Sequence, residues 1–421
     1  MRENAFCISC LLFNFATKSN ELVIAFVYCF YYYGIMNNSV LKSENISQIL
    51  EHIILGGATS RKELVERTGL SKMSVTNFVN DLIARGIVEE GENIENEGKG
   101  RPSVRLKIAE KAPAIIGVAL EENKVTVTMS SLSLNAVKKE EFQFNNQDPK
   151  AWKSAVFDGI DSILRKTIGT KVFGISICDY FTANIKCESI GSNADSKTNQ
   201  CLDLQDELMT RYSLPVFHKD NSVCSALFET YYGVGKSLNN CVFIDQKEEI
   251  KSVLLLGGKI LSFENYHQPQ IGHISIDYNG LPCKCGNHGC LTTYVATGVM
   301  VKKLKEITKL NLDFKGFCEY QVKKNDARID WIFKDMMDKF AAAFITYANL
   351  MHPEAIIMGG DAQFIPDRYL VKLQKQVNDK CIDGKRVPIQ ILKPSLNTSE
   401  TDLLVCMPLI NAVLNRHIKL Y

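Results

Sequence analysis

Three cysteines and one histidine form the densest group of potential metal ligands in the sequence. They are His273, Cys283, Cys285 and Cys290. Gly286 and Gly289 lie among the cysteines and allow the backbone to turn sharply. Thiolate sulfur and imidazole nitrogen are ligands of tetrahedral zinc, and four protein ligands leave no position open for water. The spacing therefore predicts a Zn²⁺ ion that shapes a loop and does no chemistry itself.

Two alternatives to this ligand set stay open. His288 lies between the cysteines and competes as a ligand, although the Gly-Asn-His-Gly turn favours a side chain that points to solvent. The cluster could also be a chance grouping, because the chain contains 14 cysteines.

The same stretch carries a family resemblance. The run Gln270-Ile271-Gly272-His273, followed by Cys-x-Cys-Gly-x-x-Gly-Cys at 283–290, resembles the zinc motif of the ROK family. That family comprises sugar kinases and sugar-responsive transcriptional repressors, and the resemblance extends from about residue 40 to the C-terminus. It implies an α/β protein with the two-lobed actin-like ATPase fold of sugar kinases. The ligand cleft would lie between the lobes, with the zinc loop at its edge.

Length and composition set broader limits. A chain of 421 residues is too long for one ordinary core and should form two or three domains. Its 49 basic and 47 acidic residues give a net charge of only +2, so that overall charge does not indicate nucleic-acid binding. The cysteines show no regular framework spacing, which predicts reduced thiols in a cytoplasmic protein.

The first 39 residues differ from the rest of the chain. Leu22–Met36 is apolar, but it is shorter than the about 20 residues that a membrane-spanning helix needs, and it lacks the features of a secretory signal. Three explanations remain: a membrane-associated arm, a buried extra segment, or sequence upstream of the true start. We favour a start at Met36, because ordinary helix-forming sequence begins directly after it, and we expect no stable membrane partner.

Residues 40–107 have the pattern of a winged helix-turn-helix domain. One helix starts near Ser43, a Ser60-x-x-Glu63 capping box starts a second, and a third starts at Ser71. The apolar face of the third helix consists of Val75, Phe78, Val79, Leu82 and Ile83. Its other face is polar and would enter the major groove of DNA. The predicted DNA-binding residues are Ser71, Lys72, Met73, Ser74, Thr76, Asn77 and, beyond the wing, Arg101.

Local charge is consistent with this prediction without requiring it. Between Lys42 and Lys107, ten basic and ten acidic residues balance, but half of the acids fall in Glu89–Glu97, at the predicted wing tip. The Gly-Arg-Pro sequence at 100–102 resembles that of ROK repressors and could reach a minor groove. The alternative is a three-helix module that binds protein or nothing.

Residues 113–421 are predicted to form the two-lobed domain. Strands are expected at 114–120, 125–129, 172–177, 215–218, 242–244, 252–256 and 355–358, and helices at 151–167, 221–232 and 331–350. Strands that alternate with helices over this length indicate an α/β protein.

The phosphate-binding turns of a kinase are altered. ROK kinases carry an Asp-x-Gly-Gly-Thr turn where this chain has Gly117–Asn123, which includes two glutamates. The second family turn is replaced by Asp245–Lys251, which contains no glycine, although glycine is what lets a backbone approach phosphate closely. Gly359-Gly360 resembles the adenosine-side turn but also suits any tight turn after a strand. We therefore expect no phosphotransfer.

The sugar-binding residues of the family are only partly present. Asp220 matches the catalytic aspartate, but it could equally cap the helix that follows. Lys219 replaces an asparagine, and Gln270 and Thr292 replace glutamates. We expect Asp220, Gln270 and His273 to contact an effector that is different from, or more acidic than, a plain hexose.

Three functions remain distinguishable by experiment. The first is a transcriptional regulator, most simply a repressor of carbohydrate metabolism genes, which binds operator DNA as a homodimer or a dimer of dimers and senses a sugar or sugar derivative. The second is a divergent sugar kinase fused to a DNA-binding head. The third, which rests on residues 22–36 alone, is a membrane-tethered sensor.

Overall fold

The computed structural model describes residues 42, 44–56, 59–94, 103–134, 136–145, 151–180, 195–261, 268–396 and 401–415. The predictions for the first 39 residues and for Arg101 fall outside these ranges. The chain divides into two compact units: the first combines residues up to Ala109 with those from Ala412 onward, and the second comprises Glu110–Asn411. Among the described helices, none has both the length and the apolar character that a bilayer crossing requires.

The first unit is a small helical domain with a three-stranded sheet. Its elements are α1 (44–56), β1 (Thr59–Ser60), α2 (Arg61–Thr68), α3 (Lys72–Ala84), β2 (Val88–Ile94) and β3 (Ser103–Ile108). β3 is central and pairs antiparallel with β1 and β2. This order of helices followed by a β-hairpin is the predicted winged helix-turn-helix.

Capping residues define the turn between α2 and α3. The Glu63 backbone N–H donates to Ser60 Oγ over 3.2 Å, which starts α2, and Gly69 ends the helix with a φ of +69°. Ser71 then caps α3 by accepting from the Ser74 N–H over 3.1 Å. The core of the unit is formed by Ile46, Ile49, Leu50, Ile53, Leu64, Val75, Val79, Leu82 and Leu106, which are all buried.

The second unit contains two five-stranded sheets. The first-lobe sheet has the order β6-β5-β4-β7-β8, built from β4 (Ala114–Leu120), β5 (Lys124–Ser130), β6 (Ala136–Gln143), β7 (Val172–Asp179) and β8 (Val216–Asp220). Helices α4 (Ala151–Lys166) and α5 (Asp195–Tyr212) belong to this lobe, and α6 (Asn221–Tyr231) follows β8 directly.

The second-lobe sheet has the order β11-β10-β9-β12-β13. Its strands are β9 (Cys241–Gln246), β10 (Ile250–Leu256), β11 (Lys259–Ile260), β12 (Ala355–Gly360) and β13 (Gln390–Leu392). The helices between and after them are α7 (Thr292–Val295), α8 (Thr297–Thr308), α9 (Phe314–Lys324), α10 (Ala327–Met351), α11 (Asp367–Lys380), α12 (Thr401–Leu404) and α13 (Met407–Leu414).

Both sheets have the same topology. In each, the first strand is central, the second and third extend antiparallel to one side, and the fourth and fifth pair in parallel on the other side. The central strands are buried on both faces, as parallel strands covered by helices require. This repeated α/β arrangement confirms the fold class predicted from the sequence, and the predicted strands and helices all form.

At two glycines of the first-lobe sheet, side chains of the C-terminal segment occupy the space that a Cβ would take. A Cβ placed on Gly117 would lie 2.3 Å from Val405 Cγ2, and one placed on Gly174 would lie 2.5 Å from Leu409 Cδ1. The Leu409 N–H also donates to Ser176 Oγ over 3.2 Å. Gly117 therefore lies inside β4 and serves packing, rather than a phosphate-binding turn.

Candidate functional site

The four predicted metal ligands converge in the structure. The ligand atoms of His273, Cys283, Cys285 and Cys290 all lie within 4.8 Å of one another. His273 Nδ1 is 3.5 Å from Cys283 Sγ, and Cys285 Sγ is 3.6 Å from Cys290 Sγ. For Zn–S bonds of about 2.3 Å and Zn–N bonds of about 2.0–2.1 Å, the edges of a tetrahedron are about 3.5 to 3.8 Å long. The cluster therefore fits a tetrahedral metal ion.

Glycines and short bridges shape this metal loop. Gly289 has a φ of +66°, and a Cβ on it would lie 1.7 Å from the Asp277 carbonyl oxygen, so that only glycine fits there. The Cys283 N–H donates to the Asn287 carbonyl over 2.8 Å, which closes the turn between the cysteines. His288, the competing ligand, is exposed and lies outside the cluster.

Asp220 lies in a cleft formed by residues of both lobes. It is the N-cap of α6: its Oδ1 accepts from the Ser222 backbone N–H over 2.8 Å and from the Ser222 hydroxyl over 2.5 Å. Asp220 therefore caps the helix that follows it, which is one of the two roles expected from the sequence. Eight residues line the cleft around it: Asp179, Tyr180, Asp220, Asn221, Asp245, Lys247, Glu249 and Lys251.

The other oxygen of Asp220 is held by a lysine from the opposite lobe. Lys251 Nζ lies 2.5 Å from Asp220 Oδ2. Burial alone would raise the pKa of Asp220, but the Lys251 ammonium and the Ser222 hydrogen bonds outweigh burial and hold this pKa below its ordinary value. Burial likewise opposes the charge on Lys251, yet Asp220, Asp245 and Asp179 together raise its pKa.

Sequence reasoning missed Lys251 as a cleft residue. The stretch Asp245–Lys251 was notable only for its lack of glycine, and nothing local shows that β10 faces the end of β8. The available signal was a single lysine in the otherwise largely apolar strand Ile250–Leu256.

The structure does not bring the other two predicted effector residues into this lining. Gln270 is exposed, and its Nε2 donates to the Gln268 carbonyl over 3.1 Å. His273 belongs to the metal cluster. Lys219, which suggested a more acidic effector, is also absent from the residues that line the cleft.

The loop that replaces the second phosphate turn contains a carboxylate, that of Glu248, near the start of α8. Lys247–Glu249 connects β9 to β10, and the Thr297 N–H at the start of α8 donates to the Lys247 carbonyl over 2.8 Å. A Cβ on Gly298 would lie 2.5 Å from Glu248 Oε2, which places this carboxylate at the N-terminus of α8. A helix N-terminus favours an anion, and here the chain supplies one itself.

Gly359-Gly360 is explained by packing against β9. A Cβ on Gly359 would lie 2.2 Å from Phe243 Cζ, and one on Gly360 would lie 2.3 Å from Asp245 Oδ1. Gly360 also has a φ of +61°. Close packing and a turn after a strand account for both glycines without a nucleotide.

The first turns of α3 present the predicted DNA-binding residues. Ser71, Lys72, Met73 and Asn77 are exposed, and Ser74 and Thr76 are partly buried. The Thr76 hydroxyl donates to the Lys72 carbonyl over 2.8 Å. Arg61 bridges α3 to the wing, because its guanidinium contacts Asn80 Oδ1 at 2.9 Å and Glu90 Oε1 at 2.5 Å.

Similarity to known proteins agrees with this architecture. Residues 42–89 match the winged helix-turn-helix DNA-binding family, and residues 115–402 match the ROK family. The DNA-binding transcriptional dual regulator NagC of Escherichia coli K12 is 23% identical over 412 residues, covering 91% of this chain and 97% of that protein. The xylose repressor of Bacillus subtilis is 24% identical over 273 residues, covering 64% of this chain and 70% of that protein.

Solved structures share the fold. A ROK family transcriptional regulator described as a homolog of the E. coli MLC protein superposes with a TM-score of 0.74 at 19% identity, covering 90% of this chain and 97% of that one. A ROK family glucokinase from Streptomyces griseus superposes with a TM-score of 0.54 at 18% identity, covering 70% of this chain and 98% of that one. Since the ROK family match spans more than half of the sequence, the chain belongs to the ROK family.

Proposed function

We propose that this protein is a sequence-specific transcriptional regulator, acting as a repressor of carbohydrate metabolism genes. The observation that carries the proposal is the capped start of α3, which exposes Lys72, Met73 and Asn77 beside a wing. In helix-turn-helix complexes, this end of the second helix meets base edges in the major groove. The similarity to a DNA-binding transcriptional dual regulator and to a xylose repressor supports the same function.

The protein reads operator DNA as a symmetric dimer, or as a dimer of dimers, because two-fold related recognition helices match paired half-sites. Arg101 reaches a flanking minor groove, so that Arg101→Ala weakens binding mainly at sites with A·T-rich flanks. The 14 cysteines, scattered through the sequence without the spacing of a disulfide framework, support a cytoplasmic location.

The metal is a structural Zn²⁺ ion held by His273, Cys283, Cys285 and Cys290. The tetrahedral fit and the sulfur-rich ligand set support zinc, and the four ligands close the site to water. Its role is to hold the loop 273–290 in one conformation.

The cleft binds a sugar-derived effector without catalysis. The Glu248 carboxylate at α8 and the close packing of Gly359 and Gly360 support a cleft that does not bind the phosphates of ATP. Effector binding would then change the balance between conformations of different DNA affinity.

Selection of bound sequences from a random DNA pool tests the proposal. We expect the full chain to select a palindromic consensus sequence, and a chain that lacks residues 1–109 to select none. Binding to the selected operator should change when the effector is added. Failure of the full chain to enrich any sequence would instead favour a module that binds protein.

A further inference from the structure

An ion pair across the cleft holds Lys251 against Asp220. Lys251 comes from β10 of the second-lobe sheet, whereas Asp220 ends β8 of the first-lobe sheet, so the ion pair joins the two walls of the cleft. Both oxygens of Asp220 thus have donors from within the chain: Ser222 holds Oδ1 and Lys251 holds Oδ2. A sugar hydroxyl therefore has to share Asp220 with donors from within the chain.

Acidic residues outnumber basic ones around Lys251. Four of the cleft-lining residues are acidic and two are basic: Asp179, Asp220, Asp245 and Glu249 against Lys247 and Lys251. Lys247 is 3.8 Å from Asp245 Oδ2, so that each lysine has an aspartate partner. The excess of carboxylates in a confined cleft attracts cations and repels anions.

A neutral or anionic ligand competes poorly for this place. Drawing Lys251 away from Asp220 removes the counter-ion of a carboxylate that is 34% exposed, a cost that solvent reduces but does not remove. A ligand ammonium restores the lost charge pairing, while the long Lys251 side chain, which is 30% exposed, can turn toward solvent.

We infer that Lys251 is an internal ligand that sets the specificity of the cleft, and that the effector is an amine-bearing sugar whose ammonium replaces Lys251 at Asp220. This inference rests on the proposed function, because it names the chemical class of the proposed effector. It also replaces the expectation of an acidic effector, since Lys219 does not line the cleft and Lys251 is paired.

Calorimetry on the full chain tests the inference with three probes: glucosamine, N-acetylglucosamine and glucose 6-phosphate. The titrations are run at about pH 6.5, where an amine with a pKa like that of an α-amino group, about 7.7 to 8.0, is protonated. We expect glucosamine to bind at least about tenfold more tightly than the neutral amide, or about 1.4 kcal/mol. Tighter binding of either other sugar, or no binding of glucosamine, would overturn the inference.

Variants separate the internal ligand from a merely structural ion pair. Lys251→Met removes the competitor and should strengthen glucosamine binding by about tenfold or more, whereas Lys334→Met, which breaks the exposed pair with Asp330, should leave it unchanged. If Lys251→Met fails to fold, Asp220→Asn combined with Lys251→Met removes both charges and should abolish the preference for the amine. Two results contradict the inference: glucosamine binding of unchanged strength in Lys251→Met, or an amine preference of wild-type strength in the double variant.

The two proposals fail separately. Selection of operator DNA is done on the same preparation without sugar. A protein that selects DNA but ignores glucosamine overturns only the effector assignment. A protein that binds glucosamine but selects no DNA overturns the proposed function as a transcriptional regulator.

Discussion

At the scale of single residues, Asp245 is the most deeply buried of the cleft carboxylates, with 5% of its surface exposed. Burial raises its pKa above the ordinary value, although Lys247 opposes the shift. For an acid, a raised folded-state pKa means that folding favours the protonated form. Ionisation of Asp245 therefore lowers the free energy of unfolding. This loss is absent below the unfolded pKa of about 3.9 and is complete once pH exceeds the folded pKa.

Asp245→Asn should therefore stabilise the protein at neutral pH, because the amide cannot ionise. Urea unfolding at pH near 7 should show a higher midpoint than wild type, and the difference should shrink at pH below about 3.9. Asp206→Asn, at an exposed position of α5, is the matched control and should change little. A lower midpoint for Asp245→Asn at neutral pH would show that its pairing with Lys247 outweighs its burial.

Cys285→Ser should remove the metal, since a tetrahedral site that loses one thiolate loses much of its binding free energy. We expect wild type to contain one zinc per chain by elemental analysis, and the variant to contain little metal and unfold at lower temperature. Cys381→Ala is the control, because Cys381 is buried outside the cluster. Natively purified wild type without zinc would refute the metal assignment.

At the scale of elements, α3 carries the base-reading prediction. Asn77 is exposed on the first turns, and Asn77→Ala should cost about 1 to 3 kcal/mol at its base pair and relax preference there. Asn80 lies on the same helix but accepts from Arg61, so Asn80→Ala should lower stability and leave sequence preference unchanged. The readout is a binding profile over operators with single base changes. Identical profiles for Asn77→Ala and wild type would refute the prediction that α3 reads bases in the major groove.

The same scale separates what the sequence predicts from what it cannot. Capping residues and hydrophobic periodicity predicted α3, and periodicity predicted seven of the ten strands of the two sheets, because these signals are local. The strands β6, β11 and β13 were not predicted. The cluster of His273, Cys283, Cys285 and Cys290 was predictable, since these residues lie within 18 residues of one another. The Lys251–Asp220 pair was not, because its residues belong to different sheets whose packing no local pattern specifies.

At the scale of the whole molecule, the two-lobed fold is shared with kinases, so fold alone does not decide activity. We expect no ATP-dependent phosphorylation across a sugar panel and no ATP binding detectable by calorimetry. Glu248 at the start of α8 supplies the reason, since a resident carboxylate repels a phosphate. Turnover that disappears in Asp220→Asn would establish the divergent kinase instead.

The spaces at Gly117 and Gly174 also constrain how the protein is made. Their strands are synthesised early, but Val405 and Leu409, which fill them, emerge from the ribosome only after about 185 further residues beyond Asp220. At about 5 to 20 residues per second, the first lobe waits roughly 10 to 40 seconds for its last packing partner. Until then the sheet lacks the side chains that pack against Gly117 and Gly174, so chains that end before Val405 should be less stable than the full chain.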